Sequence, residues 1–278
     1  MKILHSKADI IDATKAWQSN GETVCLVPTM GNIHQGHLAL ISKARKRANR
    51  VVVSIYVNPA QFGTGEDFDS YPRTLNDDCA AIEADGGCDA IYAPASMYEA
   101  MHATSITPSG VALPMEGQLR PHFFSGVATV VFKLFVHIPA DFVIFGEKDF
   151  QQLAVIRQMV KDLDMNIHIL AHPTIREEDG LALSSRNYYL STKERRLAPK
   201  IYKQMRETAA LLNEGIEISI ALKQAKEKLH SAGFDKIDYY DLRQPDDLQP
   251  CNRPTANSRI FTAVWLGSTR LIDNCALK

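Results

Sequence analysis

The chain has 278 residues, of which 45% are hydrophobic and 23% charged, and its formal net charge is -1. That is an ordinary globular balance at roughly two domains' length. Near-neutral charge excludes a general attraction to nucleic acid or to an anionic membrane, so any anion must be held by a local site.

Residues 23–27 form a β-branched, apolar run that predicts the first strand. A helical pattern follows over 37–48, with Leu38, Ile41 and Ala44 on one face. Further strands are expected at 51–57, 89–93, 142–145 and 166–170, and helices at 74–84, 126–137 and 150–163. The last helix has Asp149 placed as N-cap and Gln152 three residues on, a capping-box spacing. Short apolar strands alternating with amphipathic helices predict an α/β fold: a Rossmann-like, doubly wound parallel sheet up to residue 174. From 175 to 278 the pattern changes to a smaller α+β C-terminal domain. Ser191 with Glu194 opens a long helix to about Asn213, and a second helix over 219–232 stops at Gly233. Strands at 237–242, 259–266 and 269–273 complete a small antiparallel sheet.

Cys25, Cys79, Cys88, Cys251 and Cys275 are odd in number and include no CxxC pair, so they read as reduced thiols. Lys2, Lys7 and Asp9 interrupt the first residues too early for a secretory leader. The longest apolar stretch, 127–138, contains Lys133 and is too short for a bilayer span. A cytoplasmic protein without nucleic-acid or membrane partners is expected.

Ligands of an open parallel sheet bind at the carboxyl ends of its strands. The chemically distinctive residues fall there: 28–37 after the first strand, 58–63 after the second, Gly146 to Asp149 after the fourth and 176–187 after the fifth. These four clusters are expected to converge on one crevice. In the first, His34-Gln35-Gly36-His37 occupies a strand-to-helix turn, where backbone N–H groups and the positive helix end face an anion. Gly36 lets a phosphate approach closely, and His34 and His37 are placed to donate to its oxygens. The competing readings are a pair of surface histidines or two metal ligands; no nearby Cys or third His completes a metal set, so no metal site is assigned. No GxxxxGK[ST] is present, which excludes a P-loop. Lys148 supplies a cation and Ser184, Ser185 and Arg186 two hydroxyls and a guanidinium suited to phosphate. Singly, Lys148 reads as a solvated lysine, Ser184–Arg186 as an ordinary loop, and Gln61 and Gln152 as surface. Asp77 and Asp78 are explained by the dipole of the helix they open.

These residues also resemble a family. Pro28–His37 is similar to the HxGH signature of nucleotidyltransferases. With Val57–Gly63, Asp67–Thr74, Phe145–Leu153, Asp179–Asn187 and Thr269–Asn274, it resembles the pantothenate synthetase (pantoate–β-alanine ligase) family over nearly the whole chain. One departure is at 120–127, where Arg-Pro-His-Phe-Phe-Ser-Gly-Val places the histidine one position earlier than the family's usual Arg-Pro-x-His-Phe-x-Gly-Val. Another is Thr64-Gly65, where Pro-Asn is usual.

The resemblance implies ATP-dependent condensation of pantoate with β-alanine through a pantoyl adenylate, a step toward coenzyme A. It implies an ATP site from Met30, Gly31, His34, Gly36, His37, Gly146, Lys148, Asp149, Ile175, Leu183, Ser184, Ser185 and Arg186. Of these, His34, His37, Lys148, Ser184, Ser185 and Arg186 carry the catalysis, and the backbone at Ile175 touches adenine. Pantoate and β-alanine fall to Pro28, Met30, Asn58, Gln61 and Gln152. Mg²⁺ accompanies ATP, residues 1–174 bind nucleotide and pantoate, residues 175–278 act as a lid, and the assembly is a homodimer. Two rivals remain. Another HxGH nucleotidyltransferase would call for more basic residues in the substrate pocket than Gln61 and Gln152 supply. A silent nucleotide-binding regulator would bind ATP without releasing pyrophosphate.

Overall fold

Strand β2 (Val24–Thr29) is apolar on both faces because two helical layers cover it. Val24 and Leu26 join one core with Ala128, Val131 and Leu134, while Cys25 and Val27 join another with Leu38, Ile41 and Ile82. The first of these cores lies under α1 (Lys7–Ser19), α5 (Phe123–His137) and α6 (Phe150–Asp162). The second lies under α2 (Gln35–Arg45) and α3 (Leu75–Ala84), and the one-turn helix α4 (Glu116–Leu119) leads into α5. Each fully buried Val, Leu or Ile contributes about 1.5–3 kcal/mol, so this double cover is the main source of the sheet's stability.

The computed structural model describes residues 1–278. The chain divides into two compact units, Met1–Glu147 with Gln151–Pro173, and Lys148–Phe150 with Thr174–Lys278. In the first, β1 (Lys2–Leu4), β2, β3 (Arg50–Ile55), β4 (Ala90–Tyr92), β5 (Phe142–Gly146) and β6 (His168–His172) form one sheet in the order β1-β4-β3-β2-β5-β6. Every neighbouring pair is parallel. The chain steps outward from β2 through β3 to β4 and then returns to place β5 on the other side of β2. That reversal makes the carboxyl ends of β2 and β5 the switch point of a doubly wound sheet.

The α/β class and the alternating order match the sequence expectation, with two corrections to detail. The sheet has six strands rather than five: β1 is three residues long and only partly buried, so it carries no long apolar run. Helix α1 is also additional to the expectation: its fully buried positions are Ile10 and Thr14 alone, too few to give a helical period.

In the second unit, α7 (Thr192–Leu197), α8 (Lys200–Asn213) and α9 (Ile218–Ala232) accompany the antiparallel strands β7 (Lys236–Arg243), β8 (Arg259–Leu266) and β9 (Thr269–Ala276). The expected capping box is formed: Ser191 N–H donates to Glu194 Oε2 at 2.7 Å and Glu194 N–H to Ser191 Oγ at 3.3 Å. The single helix expected from Ser191 to Asn213 is instead two. Pro199 has no N–H to continue the ladder and starts α8 as its N-cap. Gly233 ends α9 as expected, in the left-handed region at φ 103°. No helix in either unit is long and apolar enough to cross a membrane.

Candidate active site

The turn between β2 and α2 is built by its own side chains. Thr29 Oγ1 donates to the Ser54 carbonyl at 2.8 Å and accepts the Gly31 N–H at 3.2 Å, so the chain leaves the sheet in a fixed direction. Gly31 has φ 85°, and a Cβ there would lie 2.8 Å from Asp78 Oδ2. Both conditions require glycine. The Asp78 carboxylate accepts Ile33 N–H at 2.7 Å, Asn32 N–H at 3.1 Å and the Thr74 hydroxyl at 3.2 Å. Burial raises its pKa, and the Ile33 and Asn32 N–H groups oppose that shift. Asp78 is only 3% exposed. It clamps the turn, a role the first-turn dipole reading missed; the signal available was an acidic residue on the apolar side of α3.

Within the turn, His34 is the N-cap of α2 and its Nδ1 accepts the Gly36 N–H at 3.1 Å. The His34 N–H points to His37 Nδ1 at 3.4 Å, which closes a capping box made of two histidines. The rings stack with centroids 4.1 Å apart. A ring nitrogen that accepts an N–H carries no proton, so each neutral imidazole holds its proton on Nε2. The turn thus presents a pair of preset Nε2–H donors beside the positive end of a helix.

After β3, the 3₁₀ turn Pro59–Gln61 is capped by Asn58, whose side chain accepts the Ala60 N–H at 3.3 Å. Asn58 Nδ2 donates to Gln61 Oε1 at 3.0 Å and to the Gly126 carbonyl at 3.2 Å. Gln61 Nε2 lies 3.1 Å from Met30 Sδ, which brings together two of the sequence-predicted pocket residues. Gly126 in α5 permits this: a Cβ would meet the Ala60 carbonyl and stand 2.7 Å from Gln61 N. Arg120 holds the same turn from outside, donating to the Gln61 carbonyl at 3.1 Å and to Glu66 Oε1 at 2.6 Å. The shifted His122 packs against Gly63, where a Cβ would come within 2.9 Å of its ring. Pro28 is half-buried in β2, Gly146 ends β5, and Gln152 is half-buried in the first turn of α6.

The remaining predicted residues lie in the second unit. Lys148 and Asp149 belong there although β5 and α6 from Gln151 onward belong to the first. The Lys148 carbonyl accepts from Asn274 Nδ2 at 2.9 Å, and its Nζ stands 4.0 Å from Asp149 Oδ2. The loop from Ile175 to Asn187 is closed by Leu183 N–H to the Ile175 carbonyl at 3.0 Å. Arg176 anchors it with paired bonds to Asp273 at 2.7 and 2.9 Å and lies 3.6 Å over the Tyr202 ring. Ser184 caps the short 3₁₀ turn Ser185–Tyr189 and accepts the Arg186 N–H at 3.3 Å. Asp273 and Asn274 therefore secure two predicted segments; the sequence places them in the Thr269–Asn274 motif, without showing which segments they hold.

No group of three or more His, Cys, Asp or Glu side chains is placed to hold a metal ion.

Comparison with known proteins identifies the family. The family model for pantoate-beta-alanine ligase matches residues 2–276. The chain is 47% identical to the pantothenate synthetase of Hyphomonas neptunium, over 100% of this chain and 97% of that one. It is 46% identical to that of Caulobacter vibrioides, over 99% and 98%. The crystal structure of pantothenate synthetase from Thermus thermophilus superposes with a TM-score of 0.94 at 40% identity, covering 100% of this chain and 99% of that one. The pantoate-beta-alanine ligase of Francisella tularensis, crystallised with a β,γ-ATP compound and β-alanine, gives 0.83 at 33%, covering 100% and 98%. With a family match from residue 2 to residue 276 and relatives near half identity over its whole length, the chain belongs to the pantoate–β-alanine ligase family.

Proposed function

We propose that the chain joins pantoate to β-alanine at the expense of ATP in two steps. A pantoate carboxylate oxygen attacks the α-phosphorus, and the bond to the β-phosphate oxygen breaks to release pyrophosphate. The β-alanine amine then attacks the acyl carbon of the pantoyl adenylate. The bond to AMP breaks, and the amide of pantothenate remains. The observation that carries the reading is the histidine-capped turn, whose two Nε2–H donors suit the charge that builds on an α-phosphate under attack.

Each residue then has a task. His34 and His37 stabilise the crowded α-phosphate, while Met30, Gly31 and Gly36 line the nucleotide's approach. Gly146, Lys148 and Asp149 hold ribose and phosphates, with Lys148 neutralising charge. The Ile175 backbone meets adenine, and Leu183, Ser184, Ser185 and Arg186 close over the triphosphate. Gln61 and Gln152 bind the acid's hydroxyls and carboxylate beside a wall from Pro28 and Met30, with Asn58 behind Gln61. Mg²⁺ travels on the ATP phosphates. Positioning and electrostatics suffice for such chemistry, without a protein nucleophile.

The reading places the enzyme in the cytoplasm as a homodimer, the latter testable by sedimentation. The functional test is incubation with Mg-ATP and pantoate, with and without β-alanine, following pyrophosphate and AMP. Steady AMP release that needs all three substrates supports the ligase. ATP binding without pyrophosphate under any combination overturns it in favour of a silent binder.

A further inference from the structure

Asn58 is 1% exposed, and its amide can face only one way. Its Oδ1 accepts the Ala60 backbone N–H at 3.3 Å, and its Nδ2 donates to the Gly126 backbone carbonyl at 3.2 Å. A backbone N–H only donates and a backbone carbonyl only accepts, so the two contacts fix oxygen and nitrogen independently. Two assignments follow. The Tyr98 hydroxyl, 2.8 Å from Oδ1, is the donor of its bond. Gln61 Oε1, 3.0 Å from Asn58 Nδ2, is the acceptor of its own, which turns Gln61 Nε2 toward Met30 Sδ.

We propose that Tyr98 is a positioning residue of the ligase reaction: its hydroxyl secures Asn58, and Asn58 holds Gln61 so that it offers donors alone to the oxygens of the hydroxy acid. The proposal rests on the assignment of Gln61 to the acid pocket made above. Tyr98 follows β4 and acts only through Asn58. Its own place is well supported: Ser96 Oγ accepts the Tyr98 N–H at 3.0 Å, and the His102 ring meets its ring edge-on at 4.9 Å. Burial pushes the phenol up to about 12, so it keeps the proton it must donate. The sulfur that Gln61 Nε2 now faces is a weak acceptor, and a substrate hydroxyl or carboxylate oxygen is a better one. An amide free to flip would offer its oxygen to that carboxylate half the time and repel it.

The test is Tyr98→Phe, which keeps the ring and removes one donor. The KM for pantoate should rise by about threefold to tenfold, the worth of one neutral hydrogen bond. The KM for ATP and kcat should stay within about twofold, because an interaction lost equally from ground and transition states shows in KM alone. In a Gln61→Ala background, assayed at raised enzyme concentration, the same change should alter the pantoate KM by less than about twofold, since nothing remains to orient. Melting curves confirm that each variant is folded at the assay temperature. An unchanged pantoate KM in Tyr98→Phe, or an equal rise in both backgrounds, would overturn the proposal. Absence of AMP release by the unmutated enzyme would instead bring down the ligase reading beneath it.

Discussion

Gly126→Ala sets two physical effects against each other. At an exposed helix position the change is worth about 0.8–1.0 kcal/mol in favour of alanine. In α5 the new Cβ would strike the Ala60 carbonyl and stand 2.7 Å from Gln61 N. Comfortable contacts between carbon and its neighbours begin near 3.5 Å, so the 3₁₀ turn or the helix must give way by about 1 Å. Overpacking of this kind costs about 1–3 kcal/mol, which outweighs the propensity gain at all but its lower end. Taking the difference as up to about 2 kcal/mol, and about 2–4 °C per kcal/mol for a unit of this size, the melting temperature should fall by several degrees. The functional effect should be larger. The shift falls on the turn that bears Gln61 and also lengthens the Asn58 contact to the Gly126 carbonyl. A displacement of about 1 Å costs on the order of 10²-fold in rate. Scanning calorimetry and AMP release against pantoate concentration measure the two effects. A variant as stable as the parent, with kcat/KM for pantoate within threefold, would refute the close-approach argument.

Removing a preset donor, in His37→Ala or Lys148→Ala, should lower turnover by about 10²–10³ with folding intact; a variant within threefold leaves the catalytic set. Asp78→Ala strips the acceptor from the Asn32 and Ile33 N–H groups, and each unpaired donor costs about 1–3 kcal/mol, so both melting temperature and pyrophosphate release should drop. His137 is buried, its Nδ1 lies 2.9 Å from the Tyr92 hydroxyl, and burial lowers its pKa from 6.5 to about 4, with Lys7 and Lys133 adding to the shift. The folded state thus favours the neutral ring, and the stability this gives is complete above pH 6.5 and is lost as pH falls toward 4. His137→Phe should flatten the fall of melting temperature across that window; an unchanged slope would remove His137 as its source.

The fold was legible wherever burial dictates the pattern. Val24–Val27 and Phe142–Phe145 are apolar on both faces because helices cover both, and a sequence shows that directly. β1 and α1 escaped because each buries little, and the break at Pro199 because the capping box at Ser191 and the apolar positions of α8 read as one continuous helix. The histidine turn was legible as a motif, since His34-x-Gly36-His37 follows directly on an apolar strand and opens a helix. The supports of the predicted segments were less so. Asp78 on the histidine turn, Tyr98 on Asn58 and Asn274 on Lys148 act on partners 45, 40 and 126 residues away, through long-range hydrogen bonds that leave no periodicity. An aspartate in the first turn of a helix has a sufficient local explanation, and only the fold shows that its carboxylate faces the neighbouring turn.

Lys148–Phe150 packs with the second unit although the residues on both sides of it belong to the first. The backbone consequently changes allegiance three times, at 147/148, 150/151 and 173/174. A gene cut at residue 174 would therefore yield a C-terminal fragment that lacks part of its own packing. It would lack Phe150, whose ring meets Phe261 at 5.7 Å and lies under Arg259 at 4.2 Å, and Asn274 would lose the Lys148 carbonyl. For the same reason, an evolutionary exchange of the C-terminal piece between relatives would have to carry three residues from the middle of the chain with it.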